Sequence, residues 1–386
     1  MNNFIYENKT KVYFGQGCVK EYLTCLLKNY GQNVMLAYGG GSIKNNGIYD
    51  EITSCLNNAD KNVTEFSGIM SNPTYAKVQE GAKIAKENNI DLIIAVGGGS
   101  VIDCCKIISA QAKTDDDIWK MEFEKHNYPA EFIPMIAVVT ASGTGAEMNN
   151  GAVITNEEKN IKTGVWGAQA DIAMLDPVYT LSLPMEQVIS GAFDTLSHCM
   201  ETYFGKVGAN NLSDKINESI MKSVIDNIKV LLSDPQNIEA RSELMWASSM
   251  AENGILKIGK VTDFECHQME HQLGAYTNCN HGQGLAVLHP VYYKHIYKDG
   301  LEKFVCFAKE VWGISAEGKS DNEIAIAGIN SLANFIKEIG LPTTLRELGI
   351  DETTDLKEIA YSCNITAGCY KNITHEEIYD IFKECY

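Results

Sequence analysis

Apolar and polar positions change their rhythm once along this chain. Up to about residue 180, short unbroken apolar runs alternate with stretches of helical period. "NVMLAYGGG" (33–41) precedes a helix pattern from about Ile43 to Leu56, and "TYAKVQEGAKIAKENN" (74–89) gathers its apolar residues on one helical face. "IDLIIAVGGG" (90–99) is an unbroken apolar strand followed by a helix from Ser100, and "FIPMIAVVTA" (132–141) repeats the strand signal. Continuous apolar strands between helices predict a parallel sheet covered on both faces. From Pro184 onward strand signals nearly vanish. "SDKINESIMKSVIDNIKVLLSD" (213–234), "EARSELMWASSMAENGIL" (239–256) and "DNEIAIAGINSLANFIKEIG" (321–340) keep helical period, which predicts an all-α second half. "LDPVYTLSLP" (175–184) reads as the joint, so the expected division is an α/β domain over 1–183 and an all-helical domain over 184–386.

The length of 386 residues is more than one ordinary core accommodates and agrees with two domains. Lys+Arg 32 against Asp+Glu 50 gives a formal net charge of -18, with no local basic stripe, which speaks against nucleic acid and anionic membrane as partners. The longest apolar stretches fall far short of the ~18 residues of a membrane span, and "MNNFIYENKTKVYFGQG" holds no apolar leader. Twelve cysteines are scattered without any C-x-x-C, so reduced thiols in a cytoplasm are expected rather than a disulfide framework.

Two of the strands end in glycine runs, "AYGGGS" (37–42) and "AVGGGSVIDCCK" (95–106). Glycines let backbone approach a phosphate with no Cβ in the way, and a following helix offers amino-terminal N–H groups. Gly98, Gly99 and Ser100 would then hold a pyrophosphate. Neither loop is G-x-G-x-x-G, and a single such loop is as often a plain strand-to-helix turn; two at strand carboxyl ends favour a ligand. "TASGTGAEMNNGAVIT" (140–155) adds a third loop of small polar residues whose hydroxyls suit an adenosine or ribose.

In the helical half, "GAFDTLSHCMETY" (191–203) puts Asp194 and His198 at i, i+4, nearly one above the other on an apolar helix. An isolated pair of this kind is more often a local hydrogen bond than a metal site. However, five of the eight histidines fall within 267–295, His267 and His271 repeat the i, i+4 spacing, and His281 follows in a loop. Together they point to a divalent transition metal, with aspartate and imidazole suiting iron(II) or zinc. Cys266 points about 100° away from His267 round the helix, and Cys279 is a minor rival donor. Asp194, His198, His267, His271 and His281 make five donors for about four positions, and spacing does not choose among them.

The ordered set "GGGSVIDCCK", "TASGTGAE", "LDPVYTLSLP", "GAFDTLSHCMETY" and "CHQMEHQLGAYTNCNHGQGLAVLHP" resembles the iron-containing alcohol dehydrogenase family along essentially the whole chain, and within it the NAD(P)H-dependent butanol dehydrogenases and aldehyde reductases. The resemblance implies the dehydroquinate synthase-like fold: an α/β nucleotide-binding domain, then an all-α metal-binding domain, with the active site in the cleft between them. It implies Asp194, His198, His267 and His281 as ligands of Fe2+, or alternatively Zn2+, and leaves His271 near the substrate as a proton relay. It implies cofactor contacts at Gly40, Ser42, Asn72, Gly98, Gly99, Ser100, Asp103, Thr140 and Thr144, and nearer the nicotinamide at Asn149, Gly151, Lys162 and Tyr179. The implied reaction is reduction of short- to medium-chain aldehydes such as butyraldehyde to primary alcohols, in a cytoplasmic homodimer. The rival readings are a non-redox lyase of the dehydroquinate synthase type and a nucleotide-binding regulatory protein with a structural metal. Trp246, Phe264 and Tyr276 are apolar candidates for the pocket wall.

For the nucleotide, "YGGGSIKNNG" carries no acid from Tyr38 to Gly47, where an acidic side chain would select the unphosphorylated ribose. Gly39 to Gly41 leave room, Ser42 supplies a hydroxyl and an N–H, and Lys44 supplies a positive charge. The expectation is NADP(H) in preference to NAD(H).

Overall fold

The computed structural model describes residues 3–206 and 211–386. The chain forms two compact units, one of Glu7–Pro184 and one of Met185–Tyr386 together with the amino-terminal residues through Tyr6.

In the first unit the order is β1 (Lys11–Phe14), α1 (Cys18–Leu27), β2 (Asn33–Tyr38), α2 (Ser42–Asn45), α3 (Ile48–Asn58), β3 (Asn62–Phe66), α4 (Tyr75–Glu87), β4 (Leu92–Gly97), α5 (Gly99–Gln111), α6 (Ile118–Phe123) and β5 (Met135–Val139). A hairpin of β6 (Gly151–Asn156) and β7 (Ile161–Trp166) and then β8 (Ile172–Leu175) complete it. The main sheet is parallel throughout, in the order β1-β8-β5-β4-β2-β3. Alternate side chains of a strand point to opposite faces, so the apolar runs serve both. Val34, Leu36, Leu92, Ile94, Ile136 and Val138 pack with Val19 and Leu23 of α1 and Ile52 and Leu56 of α3. The other face lies under α4 and α5, which pack against each other. The expected helix from Ile43 to Leu56 is broken instead into α2 and α3, because Gly47 turns the chain at φ 82°. The antiparallel hairpin β6–β7 was not visible as a strand signal, its residues alternating only weakly between apolar and polar.

The second unit contains α7 (Met185–Tyr203), α8 (Leu212–Ser233), α9 (Ile238–Glu252), α10 (Glu265–Thr277), α11 (His281–Ile296), α12 (Leu301–Glu310), α13 (Asp321–Glu338), α14 (Leu356–Ser362) and α15 (His375–Glu384). Among the described residues it has no strand, only an isolated bridge between Lys206 and Val261. Its core is continuous across α7, α8, α10, α11 and α13, with Phe193, Leu196, Met221, Leu273, Leu288 and Phe335 buried. No described helix is long and apolar enough to cross a membrane.

Candidate active site

Asp194 and His198 lie one turn apart on α7, and both are buried. His267 comes from the first turn of α10, and His281 is the first residue of α11. Close packing sets the start of α11: a Cβ on Gly282 would lie 2.2 Å from the Ser190 carbonyl oxygen of α7, so only glycine allows this approach. Asn280 caps the helix, accepting from the Gln283 N–H at 3.1 Å and from the Ser190 hydroxyl at 2.6 Å.

The three imidazoles converge on one oxygen of the fourth side chain, Asp194. Asp194 Oδ1 is 3.9 Å from His198 Nε2, 3.6 Å from His267 Nε2 and 3.5 Å from His281 Nε2. These separations are too long for hydrogen bonds and close to the roughly 3.4 Å edge of a tetrahedron with metal–ligand bonds of about 2.1 Å. Asp194 Oδ1 and His267 Nε2 are buried with no hydrogen-bond partner, which is costly unless a further group satisfies them. The residues therefore fit a divalent cation. Asp194, His267 and His281 place one donor atom each within 4.8 Å of one another, and the His198 ring stacks on His267 with centroids 4.6 Å apart.

Two carboxylates behind the imidazoles fix their tautomers. Glu201, fully buried on α7, accepts from His267 Nδ1 and from the backbone N–H groups of Cys266 at 2.7 Å and His267 at 3.3 Å. Glu270 accepts from His281 Nδ1. With Nδ1 protonated and held, each Nε2 lone pair is left to face Asp194. The sequence reading missed both acids. A signal existed for Glu201, which sits at i+7 from Asp194 and so continues the same helical face; Glu270 is i+3 from His267.

Burial disfavours charge on Asp194, yet His198, His281 and His267 outweigh it and hold the carboxyl below its ordinary range. Burial also disfavours the His267 cation, but Glu201 and Asp194 prevail and push its pKa up to about 10, so the Nε2 lone pair becomes available to a cation only as that cation displaces the Nε2 proton. For His198 burial wins and the pKa falls.

His271 is buried one turn beyond His267. Its ring is 6.0 Å from that of His267 and stacks on His281 at 5.6 Å, and it falls within a second close donor group with Glu270 and His281. Cys279 is not among either group; its thiol lies 3.9 Å from Glu270 Oε1. Phe264 closes one side, its ring centroid 5.1 Å from His267 and 6.0 Å from His198, on a backbone held at φ 57°, where a phenylalanine is strained. The other two wall candidates lie elsewhere. Trp246 lines a surface groove with Ile216 and Ile220 of α8, and the Tyr276 hydroxyl donates to Glu358 of α14.

In the α/β unit, Gly98, Gly99 and Ser100 link β4 to the amino end of α5, with Gly40 and Ser42 after β2 and Thr140 after β5. All lie at the carboxyl edge of the parallel sheet, where open α/β folds bind ligands. A Cβ on Gly99 would be 2.4 Å from Thr144 Oγ1, so the glycine loop and the Thr140–Gly145 turn are in contact. Asp103 accepts from the Val153 N–H at 2.9 Å, and the fully buried Lys106 donates to Asn149 Oδ1 at 3.0 Å and the Gly151 carbonyl at 2.6 Å. α5 is thereby clamped to the hairpin that bears the buried Lys162. Asn72 takes φ 52° just before α4, and the buried Tyr179 donates to Glu51 at 2.8 Å. Around Lys44 the structure departs from expectation. The helix begun by Ser42 is a single turn of four residues, too short for an appreciable dipole, and an acid does reach this loop: Glu65 of β3 pairs with Lys44 at 3.2 Å.

Comparison with known proteins extends the pattern over the whole chain. The model of the iron-containing alcohol dehydrogenase family matches residues 9–177, and that of the C-terminal part of the same family matches residues 188–386. The chain is 39% identical to an NADH-dependent butanol dehydrogenase A of Clostridium acetobutylicum, with 100% of both chains covered. It is 34% identical to an NADPH-dependent aldehyde reductase of Escherichia coli, over 91% of this chain and 90% of that one. Among solved structures, an NADH-dependent butanol dehydrogenase A of Thermotoga maritima superposes with a TM-score of 0.94 at 33% identity, covering 100% of this chain and 99% of that chain.

Proposed function

The chain belongs to the iron-containing alcohol dehydrogenase family, and on that premise we propose that Asp194, His198, His267 and His281 hold a divalent metal, Fe2+ in first place and Zn2+ as the alternative. The protein is an NAD(P)H-dependent oxidoreductase that reduces aldehydes to alcohols. The lyase and the regulatory protein are not favoured, since the relatives are named as dehydrogenases and reductases.

When bound, the metal supplies Lewis acidity toward a carbonyl oxygen and the reduced nicotinamide supplies the hydride. The chain does the rest. Glu201 and Glu270 keep the imidazole Nε2 lone pairs pointed at Asp194, and Phe264 excludes water from one side of the cluster. The first N–H groups of α5, with Gly98, Gly99 and Ser100, seat the pyrophosphate. Lys106 and Asp103 hold Asn149 and Gly151 in register with that seat; Thr140, Thr144, Lys162, Asn72 and Tyr179 complete the nucleotide contacts. Reduction consumes one proton. His271, an imidazole that titrates near neutrality in ordinary surroundings, delivers it through water or a ribose hydroxyl.

The observation that carries this reading is the convergence of three Nε2 atoms on one orphaned buried carboxylate oxygen. Its test is metal content. Each of Asp194→Ala, His198→Ala, His267→Ala and His281→Ala should lose the metal and the activity together, and a variant that kept full occupancy and rate would remove its residue from the set.

The finer reading leaves the choice between NADP(H) and NAD(H) to the pairing of Lys44 with Glu65, which weakens the preference for NADP(H) expected from the loop's sequence. It also takes butyraldehyde as a representative substrate, and a homodimer in the cytoplasm; twelve cysteines scattered along the chain without any C-x-x-C suit a reducing compartment. Sedimentation of the purified protein tests the dimer.

A further inference from the structure

The residues facing the ribose loop include one that the loop's own sequence does not contain. In the sheet, β2 lies between β4 and β3, and Glu65 is paired with Leu36, so its side chain emerges beside the end of β2. Four groups meet there. The Tyr38 hydroxyl donates to Glu65 Oε2 at 2.5 Å, the Tyr49 hydroxyl donates to Oε1 at 2.6 Å, and Lys44 Nζ donates to Oε2 at 3.2 Å. The ammonium also sits 5.1 Å from the Tyr38 ring centroid and 4.5 Å from that of Tyr49. Both carboxylate oxygens are thus occupied by donors, while the two charged side chains stay 45% and 42% exposed, open to a ligand. A Cβ on the adjacent Gly40 would meet nothing within 4 Å, so there is space for a ribose substituent.

We infer that Glu65 is a specificity-determining residue for the coenzyme: its fixed carboxylate competes with a ribose 2′-phosphate for Lys44 and repels that phosphate, limiting use of NADPH relative to NADH. The inference rests on the reading that the loop after β2 receives the adenosine ribose. Lys44 is then not a free cationic seat. A 2′-phosphate gains the ammonium only by sharing it with a carboxylate of like charge, whereas a 2′-hydroxyl can donate to the same carboxylate. The tyrosine hydroxyls, one from the buried end of β2 and one from α3, hold Glu65 in place and keep it ionised; hydrogen bonds from Tyr38 first and Tyr49 second lower its pKa.

The experiment measures kcat/KM for NADPH and NADH at low salt, and calorimetric affinities for adenosine 2′,5′-bisphosphate and AMP, in the wild type and in Glu65→Gln, Glu65→Asp and Lys44→Gln. Glu65→Gln should raise the NADPH:NADH ratio about fivefold, the size of one exposed charge contact, and strengthen the bisphosphate relative to AMP by a similar factor. Glu65→Asp keeps the charge and should stay near the wild-type ratio, which a purely structural role for Glu65 would not allow. Lys44→Gln should lower the ratio. If Lys44→Gln moves the ratio and Glu65→Gln does not, Glu65 plays no part although the loop still receives the ribose. If neither moves it, the placement of the ribose fails, and this inference fails with it.

Discussion

Glu201→Gln isolates what a carboxylate behind the proposed metal ligands contributes. Gln keeps the volume of Glu and can still accept the Cys266 N–H, now at 2.7 Å from Glu201 Oε1. Its amide NH2 then faces His267 Nδ1, which must become an acceptor, and the imidazole proton moves to Nε2, the atom aimed at Asp194. The ligand lone pair is lost unless the amide flips, and a flipped amide points its donors at the two backbone N–H groups that Glu201 accepts from. Either arrangement leaves a buried donor without an acceptor. Residues behind metal ligands commonly matter by 10–100-fold in affinity, about 1.4–2.8 kcal/mol at about 1.4 kcal/mol per tenfold. Equilibrium dialysis against graded chelator, with metal counted by mass spectrometry, should show metal affinity weaker by about that factor while helical circular dichroism stays unchanged. A Gln variant that binds metal as tightly as wild type would refute the tautomer argument.

Other expectations follow from the same geometry. His271→Ala should retain the metal while kcat falls and the pH profile of kcat changes shape; metal loss would make His271 a ligand instead. Gly99→Ala sets a Cβ 2.4 Å from Thr144 Oγ1, and displacing that contact at a cost of about 1–3 kcal/mol should weaken nucleotide binding about tenfold or more in a fluorescence titration, with metal content unchanged. Burial pushes the Glu122 carboxyl from 4.5 up to about 7, against the opposing Trp166 N–H. Folded protein therefore holds a proton that the unfolded chain has released over that interval, so this group's contribution to stability is present below about pH 4.5 and is lost as pH rises through about 7. Glu122→Gln should flatten that part of the pH dependence of the thermal midpoint; an unchanged slope would assign it to another group.

Periodicity carried the architecture because the elements bury apolar faces: "LIIAV" in β4 is covered on two sides, α13 buries a stripe, and α7 is buried all round from Ala192 to Tyr203. Asp194 and His198 were legible for the same reason, since a four-residue spacing is a statement about one helix. Contacts between elements were not. Nothing near Tyr38 in sequence announces that Glu65, on the next strand outward, will neutralise Lys44, and it is the parallel register that brings them together. Glu201 could be placed on the Asp194 face, but its service to His267 depends on how α10 meets α7. Phe264 at φ 57° has no sequence mark at all, and neither do the bonds of the adjacent Asp263, whose carboxylate accepts from the Glu265 N–H at 3.3 Å and from the Tyr292 hydroxyl.

The most direct test of the account couples the metal to the turnover. Purified protein stripped with chelator and protein reloaded with Fe2+ or Zn2+ are mixed with butyraldehyde and reduced nucleotide, and loss of the nicotinamide absorbance is followed alongside butanol formation. The account predicts one butanol per nucleotide oxidised in the reloaded protein and negligible turnover in the stripped protein, restored on adding metal back. Equal rates with and without metal, or no aldehyde reduction by protein carrying a full complement of metal, would contradict it.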